Sequence, residues 1–367
     1  METDAHSKLD ASSVAASVPV VWSASTLEHR PDREVWIGMA LDGSELPERV
    51  TVIRQALETA GHRVLDASPH GLDALRSVHE QTLVEHLAGV YDAWRDGGFV
   101  DLGADRVVPY FFPTAAMLGP LPATPASSVH ARAGDYCYDT MTTLGPGSWR
   151  AIQSAADCAL TAADVVVAGS SRVAYALCRP PGHHVTRRAY GGSCYLNNAA
   201  LAAQALVDAG HERVAVVDVD AHHGNGTAAI FYERADVLYG SVHVDPAAGW
   251  FPHVVGHAHE TGAGAGEGTT LNLPLAPGSG DDAFLTGVRR LARAVSDHGA
   301  TALVVSLGVD AAADDPESPL QVTRSGYGTA GEVLLGELGL PTVAVQEGGY
   351  HLPTLGSLVA AFLAAGD

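Results

Sequence analysis

The chain has 367 residues, 47% of them hydrophobic, and carries 42 acidic against 21 basic side chains for a formal net charge of -21. That balance argues against nucleic acid or an anionic membrane surface as partner and favours a cationic one. There is no apolar run long enough to span a membrane, Glu2, Asp4 and Asp10 stand where a signal peptide would be basic and then apolar, and Cys137, Cys158, Cys178 and Cys194 lack C-x-x-C spacing, so a cytoplasmic protein with reduced thiols is expected.

Residues 1 to 17 are small and polar and read as a loose tail before a single domain over 18–367. Val20 to Trp22 reads as the first strand. Glu45 to Ala60 has helical periodicity through Val50, Ile53 and Leu57, closed by Gly61; His62 to Leu65 follows as a strand, and Leu75 to Trp94 as a mostly helical stretch. Between Val107 and Gly134, Pro109, Pro113, Pro120, Pro122 and Pro125 exclude a regular helix and predict a long surface insertion. Beyond it the pattern becomes regular. A helix over Trp149–Ala168 precedes a strand Val173–Leu177 that runs into Arg179-Pro180-Pro181-Gly182-His183-His184. A helix over Asn198–Ala209 stops at Gly210 and leads into the apolar run Val214 to Val216. The strand Val237–Val242 ends in His243-Val244-Asp245-Pro246, Asn272-Leu273-Pro274-Leu275 reads as a turn, and a helix spans Ala283–His298. The strand Ala302–Leu307 ends in Gly308-Val309-Asp310, and Thr342–Val345 ends in Gln346-Glu347-Gly348-Gly349-Tyr350. Strands alternating with helices of crossover length give an α/β class, with one mostly parallel sheet covered on both faces and ligands bound beyond the carboxyl ends of the strands.

The polar clusters all fall at such ends. In Val217-Asp218-Val219-Asp220-Ala221-His222-His223-Gly224-Asn225-Gly226, an extended backbone sends Asp218, Asp220 and His222 to one side. Two carboxylates and an imidazole there suit a divalent metal, although a hydrogen-bonded turn with no metal would use the same residues. Gly224-Asn225-Gly226 suits a tight turn with close backbone approach. Asp310 can complete a metal shell with a position left open for water, the tandem His183-His184 can supply a base, and Tyr350 between glycines can donate to an oxyanion. Together these are the parts of a metal-assisted hydrolysis.

The Arg-Pro-Pro-Gly-His-His, Asp-Val-Asp-Ala-His-His-Gly-Asn-Gly-Thr, Leu-Gly-Val-Asp and Glu-Gly-Gly-Tyr segments resemble the zinc-dependent histone deacetylase family. The likeness runs from about residue 20 to the end. His243-Val244-Asp245-Pro246, the glycine-rich stretch after Thr261 and the Asp139–Trp149 region are most like bacterial acetylpolyamine amidohydrolases. The resemblance implies the arginase/deacetylase fold and one zinc ion per chain on Asp220, His222 and Asp310. It implies an acid/base pair in His183 and His184, with His184 the base that activates water, Asp218 holding His183, and Asn225 holding His184 where some members carry a second Asp. Tyr350 would polarise the amide carbonyl. A structural potassium ion would lie near Asp218, Asp220, His222, Ser241 and Val242. The substrate channel would be lined by Gly192, Ser193, Phe251 and Glu317.

Two departures bear on the substrate. Ser193 stands before Cys194-Tyr195 where the family usually places an aromatic residue, which would leave Phe251 as the aromatic wall. The Val107–Gly134 insertion occupies the place of an acidic dimer-forming loop, so a homodimer is one expectation, yet it contains no carboxylate. Glu317 falls where lysine deacetylases usually carry Leu or Met, and a carboxylate at the mouth of an apolar channel can pair with a second ammonium. The expected activity is removal of an acetyl or other short acyl group from an amine, with an acetylated polyamine or similar small cation as substrate. A protein acetyl-lysine, or a biosynthetic intermediate, remains an alternative. An arginase-like ureohydrolase would instead require two metals, and a non-catalytic binding module would leave the full set of catalytic positions without a purpose.

Overall fold

The computed structural model describes residues 17–366, so the expected N-terminal tail lies, but for Ser17, outside the described residues. In chain order the elements are β1 (Val20–Trp22), β2 (Arg33–Trp36), β3 (Met39–Asp42), α1 (Glu48–Thr59), β4 (Val64–Asp66), α2 (Gly71–Arg76), α3 (Gln81–Asp96), α4 (Ala115–Leu118), α5 (Val129–Tyr136) and α6 (Ser148–Val167). They continue with β5 (Val173–Ala176), α7 (Asn198–Asp208), β6 (Val214–Asp218), α8 (Asn225–Phe231), β7 (Val237–Val244), β8 (Thr270–Leu275), α9 (Asp281–His298), β9 (Ala302–Leu307), α10 (Arg324–Gly331), β10 (Thr342–Gln346) and α11 (Leu352–Leu363).

Eight strands form one sheet in the order β4-β1-β5-β10-β9-β6-β7-β8, every pair parallel. This is the arginase/deacetylase fold. The central strands are continuous apolar runs because both faces are buried: Val214, Ala215, Val216 and Val217 are all fully buried. Their alternate side chains feed two cores. Val214, Val216 and Val304 pack with the alanine-rich faces of α6 and α7, while Ala215, Val217 and Val305 pack with Phe284, Leu291 and Val295 of α9 and with Phe362 of α11. Truncating Leu291 to Ala would cost about 2–5 kcal/mol. Among the described residues no helix is long and apolar enough to cross a membrane.

Local chemistry fixes the pieces that carry the site. The Asn197 side chain caps α7 by accepting the Ala200 N–H at 2.9 Å, and its amide donates to the Val185 carbonyl at 2.9 Å, tying the helix start to the loop after β5. A Cβ on Gly226 would stand 2.4 Å from the backbone of His184 and Val185, so only glycine lets α8 pass this close.

The structure corrects several expectations. Leu75 to Trp94 is mostly helical, as expected, but in two pieces, α2 and α3, separated by Ser77 to Glu80. The turn expected at Asn272–Leu275 is the edge strand β8; Pro274 fits because an edge strand has one side free of ladder bonds. Gly224-Asn225-Gly226 is not an isolated tight turn, for Asn225 begins α8. The Val107–Gly134 insertion holds the short α4 and the start of α5, since its prolines end at Pro125 and leave Val129 onward free to coil. The β2–β3 hairpin, turning through Ile37 (φ 45°) and Gly38 (φ 81°), had no counterpart in the sequence reading.

Candidate active site

Four adjacent strands in the middle of the sheet, β5, β10, β9 and β6, deliver the site from their carboxyl ends. β6 ends at Asp218, and the alternation expected through His222 carries on past it: Val217, Val219 and Ala221 pack into one core, while Asp218, Asp220 and His222 lie on the other side, toward His183 and Asp310. Asp218 turns to His183, whose Nδ1 lies 3.1 Å from Asp218 Oδ2. Asp220 and His222 meet Asp310 from β9 instead. Each of these three offers one ligand-type atom, all within 4.8 Å of one another.

The carboxylates are aimed by backbone donors. Asp220 Oδ2 accepts the Gly348 N–H at 2.7 Å and Asp310 Oδ1 accepts the Ala221 N–H at 2.7 Å. Their other oxygens converge on His222 Nδ1, at 3.2 Å for Asp220 Oδ1 and 2.9 Å for Asp310 Oδ2. A Cβ on Gly308 would stand 2.0 Å from Asp220 Oδ2, and one on Gly348 would stand 2.5 Å from an oxygen of each carboxylate, so the cradle is closed by glycines. Burial opposes a charge on His222, yet its hydrogen bonds to Asp220 and Asp310 push its pKa well above the ordinary value. Two buried carboxylates with one imidazole are a donor set that calls for a divalent cation, and the residues fit one.

The two histidines after β5 differ sharply. Burial works against charge on His183, but the carboxylates of Asp220 and Asp218 raise its pKa to about 10. His184 is driven well below the usual imidazole range, first by burial and then by His183 and His222. Its Nδ1–H donates to Asn225 Oδ1 at 2.7 Å, which leaves Nε2 as a free acceptor. Opposed environments of this kind assign acid and base roles within a pair. The His184 ring meets the Phe251 ring edge-on at 4.8 Å between centroids. A Cβ on Gly192 (φ 59°) would lie 2.5 Å from the His184 ring, so glycine is required there.

Tyr350 stands at the same opening. The Arg49 guanidinium lies 4.6 Å from its ring centre and donates to the carbonyls of Gly349 and Glu347 at 2.6 and 2.5 Å, fixing the loop after β10. Burial keeps the Tyr350 phenol protonated well past its usual range, although Arg49 works the other way. Asp315 pins the same loop: its Oδ2 accepts from the backbone N–H of Tyr350 at 2.6 Å and of His351 at 3.1 Å, while Oδ1 accepts from that of Glu317 at 3.1 Å.

His184, His222 and Tyr350 open into a cavity of about 410 Å³ that Gly192, Ser193, Phe251 and Glu317 also line. All four expected channel residues therefore meet at one opening. Phe251 is not the sole aromatic wall: Trp36 from the hairpin and Trp250, whose indole N–H donates to the Glu317 carbonyl at 3.1 Å, face the same space. A larger apolar groove of about 580 Å³ lies beside it, sharing Trp36, Met141, Phe251 and His253 with it.

The expected potassium residues stand below. Asp218, Ser241 and Ser306 are register neighbours across β7, β6 and β9, all fully buried. Ser241 Oγ engages His243 Nδ1 at 2.8 Å, and Ser306 Oγ has no hydrogen-bond partner among the described residues.

Sequence reasoning missed Glu34, Asp315 and Glu347 as members of this site. Glu347 Oε2 accepts the backbone N–H groups of Gly182 and His183 at 2.7 and 3.1 Å and so holds the tandem-histidine loop. Its place in the Glu-Gly-Gly-Tyr segment was the available signal.

Comparison with known proteins agrees with this geometry. The family described as "Histone deacetylase domain" matches residues 44–365. The acetylpolyamine amidohydrolase of Mycoplana ramosa is 37% identical over 342 residues, covering 93% of this chain and 97% of its own length. That of Burkholderia pseudomallei (strain 1710b) is 42% identical over 313 residues, covering 85% and 87%. A crystal structure of the acetylpolyamine aminohydrolase from Burkholderia pseudomallei superposes with a TM-score of 0.89 at 38% identity, covering 95% of this chain and 98% of that one.

Proposed function

This chain belongs to the histone deacetylase family and is a deacetylase of the amidohydrolase type, and we propose that it hydrolyses acetylated polyamines or similarly small cationic acylamines, with zinc as the metal. The family is generally zinc-dependent, and Asp220, His222 and Asp310 are the residues that would hold the ion. When bound, it would supply the Lewis acidity that activates water and polarises the amide carbonyl.

The protein's own groups do the rest. His184 Nε2, kept neutral by burial, takes the proton of the attacking water and returns it to the departing nitrogen. His183, charged and held by Asp218, keeps positive potential beside the developing oxyanion. Tyr350 donates its hydroxyl to the carbonyl oxygen as negative charge builds there. Phe251 and the two tryptophans shape a slot for an alkyl chain and leave the amide as the group that reaches the floor. A potassium ion near Asp218 and Ser241 is supported by the unpartnered Ser306 hydroxyl at the same register. Four free, buried cysteines suit action in a reducing cytoplasm.

The substrate class rests on one observation: Glu317 lines the opening of a cavity walled by Trp36, Trp250, Phe251 and Tyr350, in a chain whose net charge is -21. An ammonium at the far end of an alkyl chain gains from that carboxylate, whereas the backbone of an acetyl-lysine peptide does not. The test is a panel of acetylated di- and polyamines against acetyl-lysine peptides, assayed with the metal-loaded enzyme. Higher kcat/KM for the amines is the expected result; a preference for peptides would replace this reading with a protein deacetylase.

A further inference from the structure

Beside the Tyr350 loop, two guanidiniums are buried against a single carboxylate. Glu45, between β3 and α1, Arg49 in the first turn of α1 and Arg179 after β5 are each no more than 1% exposed. Glu45 Oε1 lies 2.8 Å from Arg49 Nη1 and 2.9 Å from Arg179 Nε, so one oxygen answers both cations. Among the described residues neither arginine forms an ion pair with any other carboxylate. His29, whose Nε2 is 3.9 Å from Glu45 Oε2, is pushed down to about 3 by burial and is neutral at pH 7.

The two arginines serve different loops. Arg49 donates to the carbonyls of Gly349 and Glu347 and lies against the Tyr350 ring. Arg179 opens the segment that runs to His183 and His184, and it donates to the carbonyls of Thr26, His29 and Glu45 at 2.7, 2.9 and 3.1 Å. We propose that Glu45 is a positioning residue for Tyr350: through Arg49 it sets where the phenol stands, and through Arg179 it fixes that setting against the start of the tandem-histidine loop. The inference rests on the role given to Tyr350 above.

Electrostatics make the carboxylate indispensable to this arrangement. Burial opposes a charge on Glu45, yet Arg179 and Arg49 hold its carboxyl below the usual range, so the triad stays ionised at neutral pH. Burial also lowers the Arg179 pKa, and Arg49 adds to that effect while Glu45 works against it. Without the Glu45 charge, two guanidiniums would stand buried side by side unanswered, and the strain is relieved only if one of them moves. Arg49 would carry with it the carbonyls on either side of Gly348. A phenol displaced by about 1 Å from the developing oxyanion costs on the order of 10²-fold in rate. Trp36, Trp250 and Phe251, which shape the slot for the alkyl chain, share no hydrogen bond with the triad, so the effect falls on kcat rather than KM.

The experiment measures kcat and KM of the metal-loaded enzyme on N-acetyl-1,4-diaminobutane for Glu45→Gln, for Arg49→Lys, and for each combined with Tyr350→Phe. Metal content and melting temperature are followed alongside. Gln keeps the size of Glu45 and removes its charge; Lys keeps the charge of Arg49 and loses the planar fork that spans two carbonyls. Each single change should lower kcat about tenfold or more per metal-loaded chain, with KM within about threefold of wild type. In the Tyr350→Phe background neither should lower kcat by more than about twofold, because the group they position is already gone. A kcat within about twofold of wild type in both single variants, whatever the melting temperature, overturns the proposal, and so does a loss that persists undiminished in the Tyr350→Phe background. Near-normal kcat in Tyr350→Phe alone sinks the role of the phenol and this inference with it, whereas a full Tyr350→Phe loss with additive Glu45→Gln sinks the positioning role only. Should Glu45→Gln not fold, Arg49→Lys decides by the same criteria.

Discussion

The floor of this site and its rim are built by opposite rules. On the floor every charged group is buried and answered: Asp220, Asp310 and Asp218 each accept backbone N–H groups or imidazole nitrogens, and all three hang from the ends of strands locked between two cores. On the rim the residues come from a two-stranded hairpin and from loops, and the apolar side chains of Trp36, Ile37, Met39 and Val254 lie exposed. The floor is complete without substrate except for its metal. The rim is completed by whatever enters. Reaction type is thus decided in the rigid centre, and substrate choice at an edge that can change without disturbing the sheet.

That contrast can be broken in order of expected effect. Asp310→Ala removes one of the three proposed ligands and leaves His222 Nδ1 with Asp220 alone; metal content by elemental analysis should fall from one ion per chain to none, and turnover of every substrate with it. Two divalent metals per active chain in the wild type would instead point to a binuclear hydrolase. Tyr350→Phe should keep metal and fold while kcat drops by about 10²-fold, or roughly 3 kcal/mol, on charged and uncharged amides alike; near-normal kcat would take the hydroxyl out of the mechanism.

Asn225→Asp probes the floor by pH. A carboxylate beside Nδ1 favours the protonated form of His184, so the depressed pKa rises and the acidic limb of kcat/KM, which lies below the usual imidazole range in the wild type, should move upward by about one pH unit. An unmoved limb would mean that another group sets it. The smallest effect belongs to the rim: Glu317→Leu should shift selectivity from acetylated polyamine toward acetyl-lysine peptide by about fivefold, with the wild-type preference weakening as salt rises. If neither substrate's kcat/KM changes, Glu317 does not read the amine.

Legibility follows the same division. His183, His184, Asp220, His222, Asp310 and Tyr350 were readable because each closes an apolar strand, and a strand end codes position in consecutive residues. The parallel sheet was readable for the same reason. Asp315 was not, because its partners Tyr350 and His351 are 35 and 36 residues away and nothing local marks the meeting. The hairpin was missed for another reason. Ile37-Gly38 between Val35-Trp36 and Met39-Ala40 is a two-residue turn with a glycine in place, but one face mixes Glu34 with Trp36, Met39 and Leu41 and the other mixes Arg33 and Asp42 with Val35 and Ala40, so neither strand alternates cleanly.

The strand order has a consequence for how the enzyme comes into being. β10 is the last of the ten strands to be synthesised, yet it occupies the middle of the sheet, between β5 and β9, and brings Glu347, Gly348 and Tyr350 with it. Until it inserts, β5 and β9 present open edges, the tandem-histidine loop lacks the Glu347 anchor, and Asp220 lacks the Gly348 N–H that aims it. A nascent chain therefore has no competent centre until β10 and the loop after it have left the ribosome, and its half-formed sheet is exposed to edge pairing with other chains throughout that interval.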